Sequence, residues 1–440
     1  MKIVPNTDVL LINVPMDRVL KTREEHSKFT SMPPLGMLYI ISTLEAAGFH
    51  VSFIDFSVEM FDKAKFLEYL KIMSPKIVGI STYVESWKIQ NSVASHIKKI
   101  IPEAVIVAGG YCASFAYKEM LQTNYYDYII RGEGEFAYIS LCNHLLLHKG
   151  SINEVNNLVY QADGEIIVND FERISDLDQL PFPARDVLDL NRYSYPFTIS
   201  TARGCPGRCI FCSAHAFWGD KVVMRSSQSV VNEIKEVYLT FGLKDFFIID
   251  DTFTLKPDRT IEFCKSLNEL SRELDVSFVW GCESRVDIVK SDHYLLKTMK
   301  DAGCSMVQFG MESGNDSVLK SIKKNITYEQ VYLAAQMAYE AGLKMNISFM
   351  IGHHMDTMDT IKETIAKAVD LKQKFHANML FSINTPYPGT ELRNQLEELG
   401  VELIVNDFSK LKMNDSAINT AYLTANDIKK GFSLANQMLY

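Results

Sequence analysis

A chain of 440 residues with 47% hydrophobic and 11% aromatic side chains can bury a large core, and its length suits two or three domains. The formal net charge of -9, with lysines and arginines scattered among acids, excludes a general basic field for a nucleic-acid backbone. The opening MKIVPNTDVLLINVP is too brief for a signal peptide and no segment approaches the ~20 apolar residues of a membrane span, so a cytoplasmic protein with no membrane span is expected.

From residue 8 to about 148, short β-branched runs alternate with amphipathic helical patterns: DVLLINV, a helix from Leu35, VSFID, a helix over Lys63 to Met73, IVGIS, a helix over Trp87 to Ile101, AVIVAGG, then YDYIIRGEGE opening another helix. Near-continuous apolar strands separated by such helices predict a doubly wound α/β domain with a parallel sheet covered on both faces. Ligands of such sheets bind at the carboxyl ends of the strands, here Pro33 to Gly36, Asp55, Ser81 to Tyr83, Gly109 to Cys112 and Arg131 to Glu135.

A hairpin, LVYQADGEIIV with Asp163 and Gly164 as its turn, and a polar, proline-punctuated linker break that rhythm. A second alternation follows, with strands near Phe197 to Thr201, Asp245 to Asp250, Ser277 to Gly281, Met306 to Gly310, Met345 to Ile351 and Met379 to Ile383. Six strand-helix units fall short of a closed eight-fold barrel and predict a partial (β/α)6 barrel of the TIM type. The expected division is 1–150 for the first domain, 151–194 for hairpin and linker, 195–390 for the barrel and 391–440 for a mostly helical extension.

Three of the eight cysteines crowd into STARGCPGRCIFCSAH, directly after the first barrel strand. Three thiolates on one loop can hold three irons of a cuboidal cluster and leave the fourth iron open for chemistry. Gly204, Pro206 and Gly207 let the loop turn tightly, and Arg208 offsets negative charge. A structural zinc site with His215 as fourth ligand is the alternative, but such sites usually pair CxxC with a second pair that is absent here. Cys112, Cys142, Cys264, Cys282 and Cys304 stand alone beside apolar stretches and read as core.

This CxxxCxxC loop of Cys205, Cys209 and Cys212 at the head of a partial barrel resembles the radical S-adenosylmethionine family, over about residues 195 to 385. The resemblance implies an enzyme whose four-iron four-sulfur cluster chelates S-adenosylmethionine and cleaves it reductively, giving a 5′-deoxyadenosyl radical that takes a hydrogen atom from substrate. It further implies that Phe211 packs by the adenine, that Asp250 and Asp251 contact the methionine amino group, that Arg285 meets the carboxylate and that Glu312 contacts the ribose. A helix cap or surface ion pair is the plainer role for a lone Asp or Arg at a strand end. The fifth strand departs from the family turn: IGHHMDTMDT keeps Gly352 and Thr357, carries Asp356 for the acid, and puts His353 and His354 where substrate or cofactor contacts, or ordinary loop histidines, are both open readings.

A doubly wound domain ahead of the cysteine loop is similar to the cobalamin-binding branch of that family. Asp55, Ser81, Gly109 and Gly110 occupy the positions of that module's strand-end motifs, while Ser57 replaces the axial histidine, Met60 a glycine and Tyr83 a leucine. The PPLG turn from Pro33 and the RGEGE turn containing Glu133 also look like this branch. The likeness implies cobalamin bound without a histidine below cobalt, and contacts from Asp55, Ser81, Tyr83, Gly109, Gly110 and Glu133. Glycines have their own rationale, since a backbone without Cβ atoms admits a bulky cofactor closely; tight packing on the next helix is the bland alternative.

The expected function is methylation of an unactivated carbon of a peptide or small molecule, with a reducing donor such as flavodoxin or ferredoxin and no nucleic-acid partner. Radical oxidation, cyclisation or rearrangement without methyl transfer is the second reading, and a cobalamin-responsive sensor, which leaves the cysteine loop unexplained, is the third.

Overall fold

Five apolar runs of the first half form parallel strands: β1 (Val9–Asn13), β2 (Val51–Asp55), β3 (Ile77–Ser81), β4 (Val105–Gly109) and β5 (Tyr128–Ile130). The computed structural model describes residues 2–15, 31–59, 62–289 and 293–439, and the chain divides into two units, Met1–Pro196 and Phe197–Tyr440.

In the first unit the strand order is β2-β1-β3-β4-β5. The order reverses at β1, and that switch point is where doubly wound sheets open a crevice at their carboxyl ends. Successive side chains alternate between two cores: Leu10, Ile12, Val78 and Ile106 pack with Phe66 and Ile97, while Val9, Leu11, Phe53 and Val107 pack with Leu38 and Leu141. The longer helices are Leu35–Ala46, Lys63–Met73, Trp87–Ile100 and Glu135–Leu147, and two short ones, Tyr111–Phe115 and Tyr117–Leu121, follow β4. The second is defined by capping: the Asp62 side chain accepts from the Ala64 and Lys65 N–H groups, and the helix stops at left-handed Ser74.

The hairpin, β6 (Leu158–Ala162) and β7 (Glu165–Val168), does not stand apart. It adds two antiparallel strands beyond β5, with Asp163 and Gly164 both at positive φ, the conformation its two-residue turn requires.

In the second unit six parallel strands run in the order β15-β14-β13-β12-β11-β8, from β8 (Thr198–Ile199) through β11 (Asp245–Ile248), β12 (Val279–Ser284), β13 (Cys304–Glu312) and β14 (Lys344–Ile351) to β15 (Asn378–Ile383). Sequential order places every helical crossover on one face, as in a barrel wall that does not close. That helical face carries Trp280, Cys282, Val307, Phe309, Ile347 and Phe349, all fully buried.

The first barrel strand is shorter than its sequence predicts. After Ile199 the chain leaves the sheet, and β9 (Ala202–Arg203) pairs antiparallel with β10 (Val223–Met224). The cause is Asp250, whose Oδ1 accepts from the Thr201 and Ala202 N–H groups and whose Oδ2 pairs with the Thr201 hydroxyl, which pulls the backbone away from its neighbour strand.

At the C-terminal end, β16 (Glu402–Leu403) pairs with β17 (Ile418–Asn419), and the helix Ala425–Leu439 closes a small core of Ile351, Ile361, Ile365, Ile383 and Ile428. Among the described residues no helix is long and apolar enough to cross a membrane.

Candidate active site

In the first unit the register of the parallel strands gathers the residues singled out at separate strand ends. Asn13 is paired with Asp55 on one side and with Ser81 on the other, and Ser81 is paired with Gly109, so all four lie in one row across β2, β1, β3 and β4. A Cβ built on Gly109 meets nothing nearer than the Ile130 carbonyl at 3.9 Å, whereas one on Gly110, at φ +98°, would lie 3.0 Å from the Thr82 carbonyl. The two glycines therefore differ: Gly110 is required by the turn, and Gly109 leaves open space above the strand end, a cradle a bulky group can enter.

Asp55 is buried with both carboxylate oxygens engaged. Oδ1 accepts from Asn13 Nδ2 at 2.8 Å and from the Ser57 N–H and hydroxyl, and Oδ2 accepts from the Tyr193 hydroxyl at 2.7 Å. Ser57, standing where the standard module has its histidine, is thus held by Asp55. Tyr83 hydrogen-bonds Ser81, and burial, with Asp55 and Glu85 nearby, raises its phenol above the ordinary value. Glu133 is buried and accepts from the Ile174 N–H at 2.9 Å, which ties the linker to the sheet. Met60 lies outside the described residues.

In the second unit the cysteine loop follows β9. A Cβ on Gly207 would lie 3.3 Å from Cys205 Sγ, 3.9 Å from Cys209 Sγ and 2.9 Å from an Arg285 guanidinium nitrogen, so a side chain there would displace the thiols or the guanidinium. Backbone N–H groups of Gly207 and Ala214 donate to the Cys205 and Cys209-neighbouring Cys212 sulfurs, each at 3.4 Å. Burial, with Cys209, Asp251 and Cys205 close by, pushes the Cys212 thiol up to about 12, so metal binding displaces a proton there. Three soft thiols near one another, with N–H donors and a guanidinium, fit an iron–sulfur cluster with one open iron. His215 instead lies 3.8 Å from Asp220, an ion-pair distance.

Around the loop stand the strand-end residues. Phe211 faces the His353 ring, centroids 5.7 Å apart. Of the two aspartates, Asp250 is engaged with the Thr201 turn, while Asp251 opens to solvent on one side; the protein around it and the Asp250 charge push it up to about 6. Arg285 binds Asp287 through two nitrogens, at 3.0 and 2.9 Å, and keeps the third by the loop. Glu312 ends β13 at φ 70°, beside a register shift, a conformation uncommon for any residue with a side chain and typical of strained functional positions. Its carboxylate pairs with Lys324 at 2.8 Å, both nearly buried.

Lys324, one of three lysines in KSIKKN, carries no signal in the sequence; only the fold singles it out. Burial alone would lower it, but Glu312 and the Cys209 sulfur hold it above its ordinary value. Glu283, on β12, was also not foreseen. Burial, with Asp251 and Glu312 nearby, pushes it up to about 7.

The loop after β14 is organised by Asp356. Its Oδ2 accepts from the Gly352 and His353 N–H groups, and its Oδ1 from Thr360. Gly352, at φ +82°, turns the chain where a Cβ would meet Ile428 at 2.8 Å. The loop buries His353 completely, with its ring beside the Met350 backbone, and leaves His354 Nδ1 and Asn384 Oδ1 without hydrogen-bond partners. Burial lowers His353 to about 3, so its imidazole is neutral. Buried polar atoms left open in this way mark a place where a ligand or water completes the hydrogen bonding.

The comparisons with known proteins agree on both halves. Residues 199–368 match the radical SAM superfamily and residues 29–141 match the B12 binding domain. An uncharacterized methyltransferase of Pyrococcus horikoshii, PH0819, is 31% identical over 411 residues, covering 91% of this chain and 86% of the relative. The anaerobic magnesium-protoporphyrin IX monomethyl ester cyclase of Rubrivivax gelatinosus is 30% identical over 392 residues, covering 86% of this chain and 68% of that protein. The solved radical S-adenosylmethionine methyltransferase TsrM of Kitasatospora setae, with cobalamin and a [4Fe-4S] cluster bound, shares the fold at a TM-score of 0.74 and 15% identity, covering 93% of this chain and 81% of that one. This chain belongs to the radical S-adenosylmethionine enzymes that carry a B12 binding domain, and its cofactors are a four-iron four-sulfur cluster, S-adenosylmethionine and cobalamin.

Proposed function

We propose that the enzyme transfers a methyl group to an unactivated carbon of a small-molecule or peptide substrate. The observation that carries this reading is the presence in one chain of a three-thiol loop after β9 and a strand-end row with open space above Gly109. The name of the Pyrococcus relative, a methyltransferase, supports it. When bound, the cluster supplies the electron that cleaves S-adenosylmethionine and cobalamin carries the methyl group.

The chain's own residues bind and orient. Cys205, Cys209 and Cys212 ligate three irons, and Arg285 offsets the charge of the cluster. Phe211 forms an aromatic wall for the adenine, Asp251 accepts from the amino group of the methionine moiety, and Glu312, fixed by Lys324, accepts from the ribose hydroxyls. Asp250 and Gly352 act as positioning residues, one through the Thr201 turn and the other through the loop that buries His353. In the first unit, Ser81, Tyr83, Gly109 and Gly110 line the cobalamin side, while Asp55 and Glu133 hold the loops that border it. A flavodoxin or ferredoxin in the cytoplasm suits the electron requirement and the eight free cysteines.

Anaerobic reconstitution with iron, sulfide and cobalamin, followed by product analysis under a reductant, tests the reading. S-adenosylhomocysteine and 5′-deoxyadenosine together are expected. 5′-Deoxyadenosine alone would replace methyl transfer with the second reading, ring closure or oxidation, which the name of the Rubrivivax relative favours.

A further inference from the structure

Barrel interiors are usually filled by layers of Val, Ile and Leu from alternate strands. The face of this six-stranded wall opposite its helices is filled differently. Glu283, Gln308, Asn346 and Asn378 are paired in register across β12, β13, β14 and β15, one polar side chain per strand at one level. They are joined laterally: Gln308 Nε2 donates to Glu283 Oε1 at 3.2 Å, and Asn378 Nδ2 donates to Asn346 Oδ1 at 3.2 Å.

At the next level the Glu312–Lys324 pair stands over Gly310, where a Cβ would meet it at 2.7 and 2.9 Å, while over β14 and β15 Ser348 is only half-buried and Leu380 remains 38% exposed. The open part of this face, bordered by a carboxyl group and three half-buried or exposed carboxamides, offers hydrogen bonds to a ligand and disfavours an apolar one, because an amide covered without a partner costs about 1–3 kcal/mol. A second observation, independent of the ladder, points to a ligand in this unit: His354 Nδ1 and Asn384 Oδ1, both on buried residues, have no hydrogen-bond partner. Charge narrows the class. The nearby cations are taken, Lys324 by Glu312 and Arg285 by Asp287, whereas Glu283 and Asp251 have no ion-pair partner among the described residues.

The geometry points to a small, water-soluble substrate that donates hydrogen bonds through hydroxyl or amine groups, held on the Glu283–Gln308 and Asn346–Asn378 ladder. This rests on the methyl-transfer reading above.

The test uses the full chain, reconstituted anaerobically and given S-adenosylmethionine radiolabelled in its methyl group. Two probes are offered separately: the water-soluble and the chloroform-soluble metabolite fractions of the source cells. Label entering a product in the water-soluble fraction is expected. Asn346→Leu, which puts methyl groups into the floor, should lower that label about tenfold or more, while Asn346→Ser, which keeps a hydroxyl, should retain most of it. Iron and cobalamin content, read from the visible spectrum, establishes that both variants are assembled. Label in the chloroform phase, or in neither fraction while 5′-deoxyadenosine still forms, overturns the inference and leaves the radical enzyme standing. Absence of 5′-deoxyadenosine from the reconstituted wild-type enzyme would sink the proposed function, and the inference with it.

Discussion

The Tyr193 hydroxyl donates to Asp55 Oδ2 at 2.7 Å across 138 residues of chain, and so fastens the linker to the carboxyl end of β2. The phenol is buried and lies well above its ordinary value, because burial and the Asp55 carboxylate both disfavour its ionised form. Tyr193→Phe removes the donor from a buried carboxylate oxygen and should cost about 1–3 kcal/mol, read as a lower urea midpoint with an unchanged slope.

Cys209 shares its task with two other thiols, and a cluster missing one of three protein ligands is not retained. Cys209→Ala should reduce iron after anaerobic reconstitution from about four per chain to near zero and abolish the broad visible absorption of the cluster. Cobalamin content should be unaffected, since its residues lie in the other unit.

Gly109 and Gly110 give opposite expectations. Gly110→Ala places a Cβ at φ +98° and 3.0 Å from a carbonyl oxygen, and should destabilise the fold by about 1–2 kcal/mol or more. Gly109→Ala meets nothing within 3.9 Å, so thermal unfolding should hardly change. Its effect should fall instead on cobalamin retained after gel filtration, which decreases if the corrinoid approaches that backbone.

Lys324→Met leaves Glu312 as an unpaired, nearly buried carboxylate in a left-handed conformation. The expected loss is about 3–5 kcal/mol. Adding Glu312→Gln should recover most of that stability without restoring S-adenosylmethionine affinity, which a double-mutant cycle on both quantities would separate.

Glu283 sets a pH dependence. Burial, followed by Asp251, Glu312 and Asp250 and opposed by Lys324, moves it from 4.5 to about 7, so the folded protein holds this proton more tightly than the unfolded chain. Its contribution to stability is therefore fully present below about 4.5 and is lost as pH rises through about 7. Unfolding midpoints of wild type and Glu283→Gln measured from pH 4.5 to 8 should diverge over that window, with the wild type falling and the variant flatter.

The architecture was legible because hydrophobic periodicity is local. The β-branched runs such as VLLIN and IVGIS, and helices such as Lys63–Met73, start and stop within a residue or two of their sequence patterns. The cysteine triplet stood out because three residues of one loop are neighbours in sequence. Lys324, Glu283 and Tyr193 were not, since each acquires its meaning from a partner brought near by the fold: Glu312, Gln308 and Asp55 respectively. The break after Ile199 was missed for the same reason, because the Asp250 carboxylate that bends the chain lies 49 residues from Thr201. Asp55, Asp250 and Glu133 illustrate the converse. Their types and positions suggest contacts to a cofactor, and the fold gives their oxygens a task the sequence does not show, holding backbone N–H groups.

The row formed by Asp55, Asn13, Ser81 and Gly109 also separates the two halves of the enzyme in how they tolerate loss. Each strand delivers one group to that rim, and apart from the Asn13–Asp55 hydrogen bond the groups do not hold one another, so erasing one disturbs a neighbour at most and damage accumulates by degrees. The thiols of Cys205, Cys209 and Cys212 have no such independence, because they share a single object and a single glycine-bounded turn. Variation along this chain should therefore drift gradually at the rim and be all-or-none at the loop.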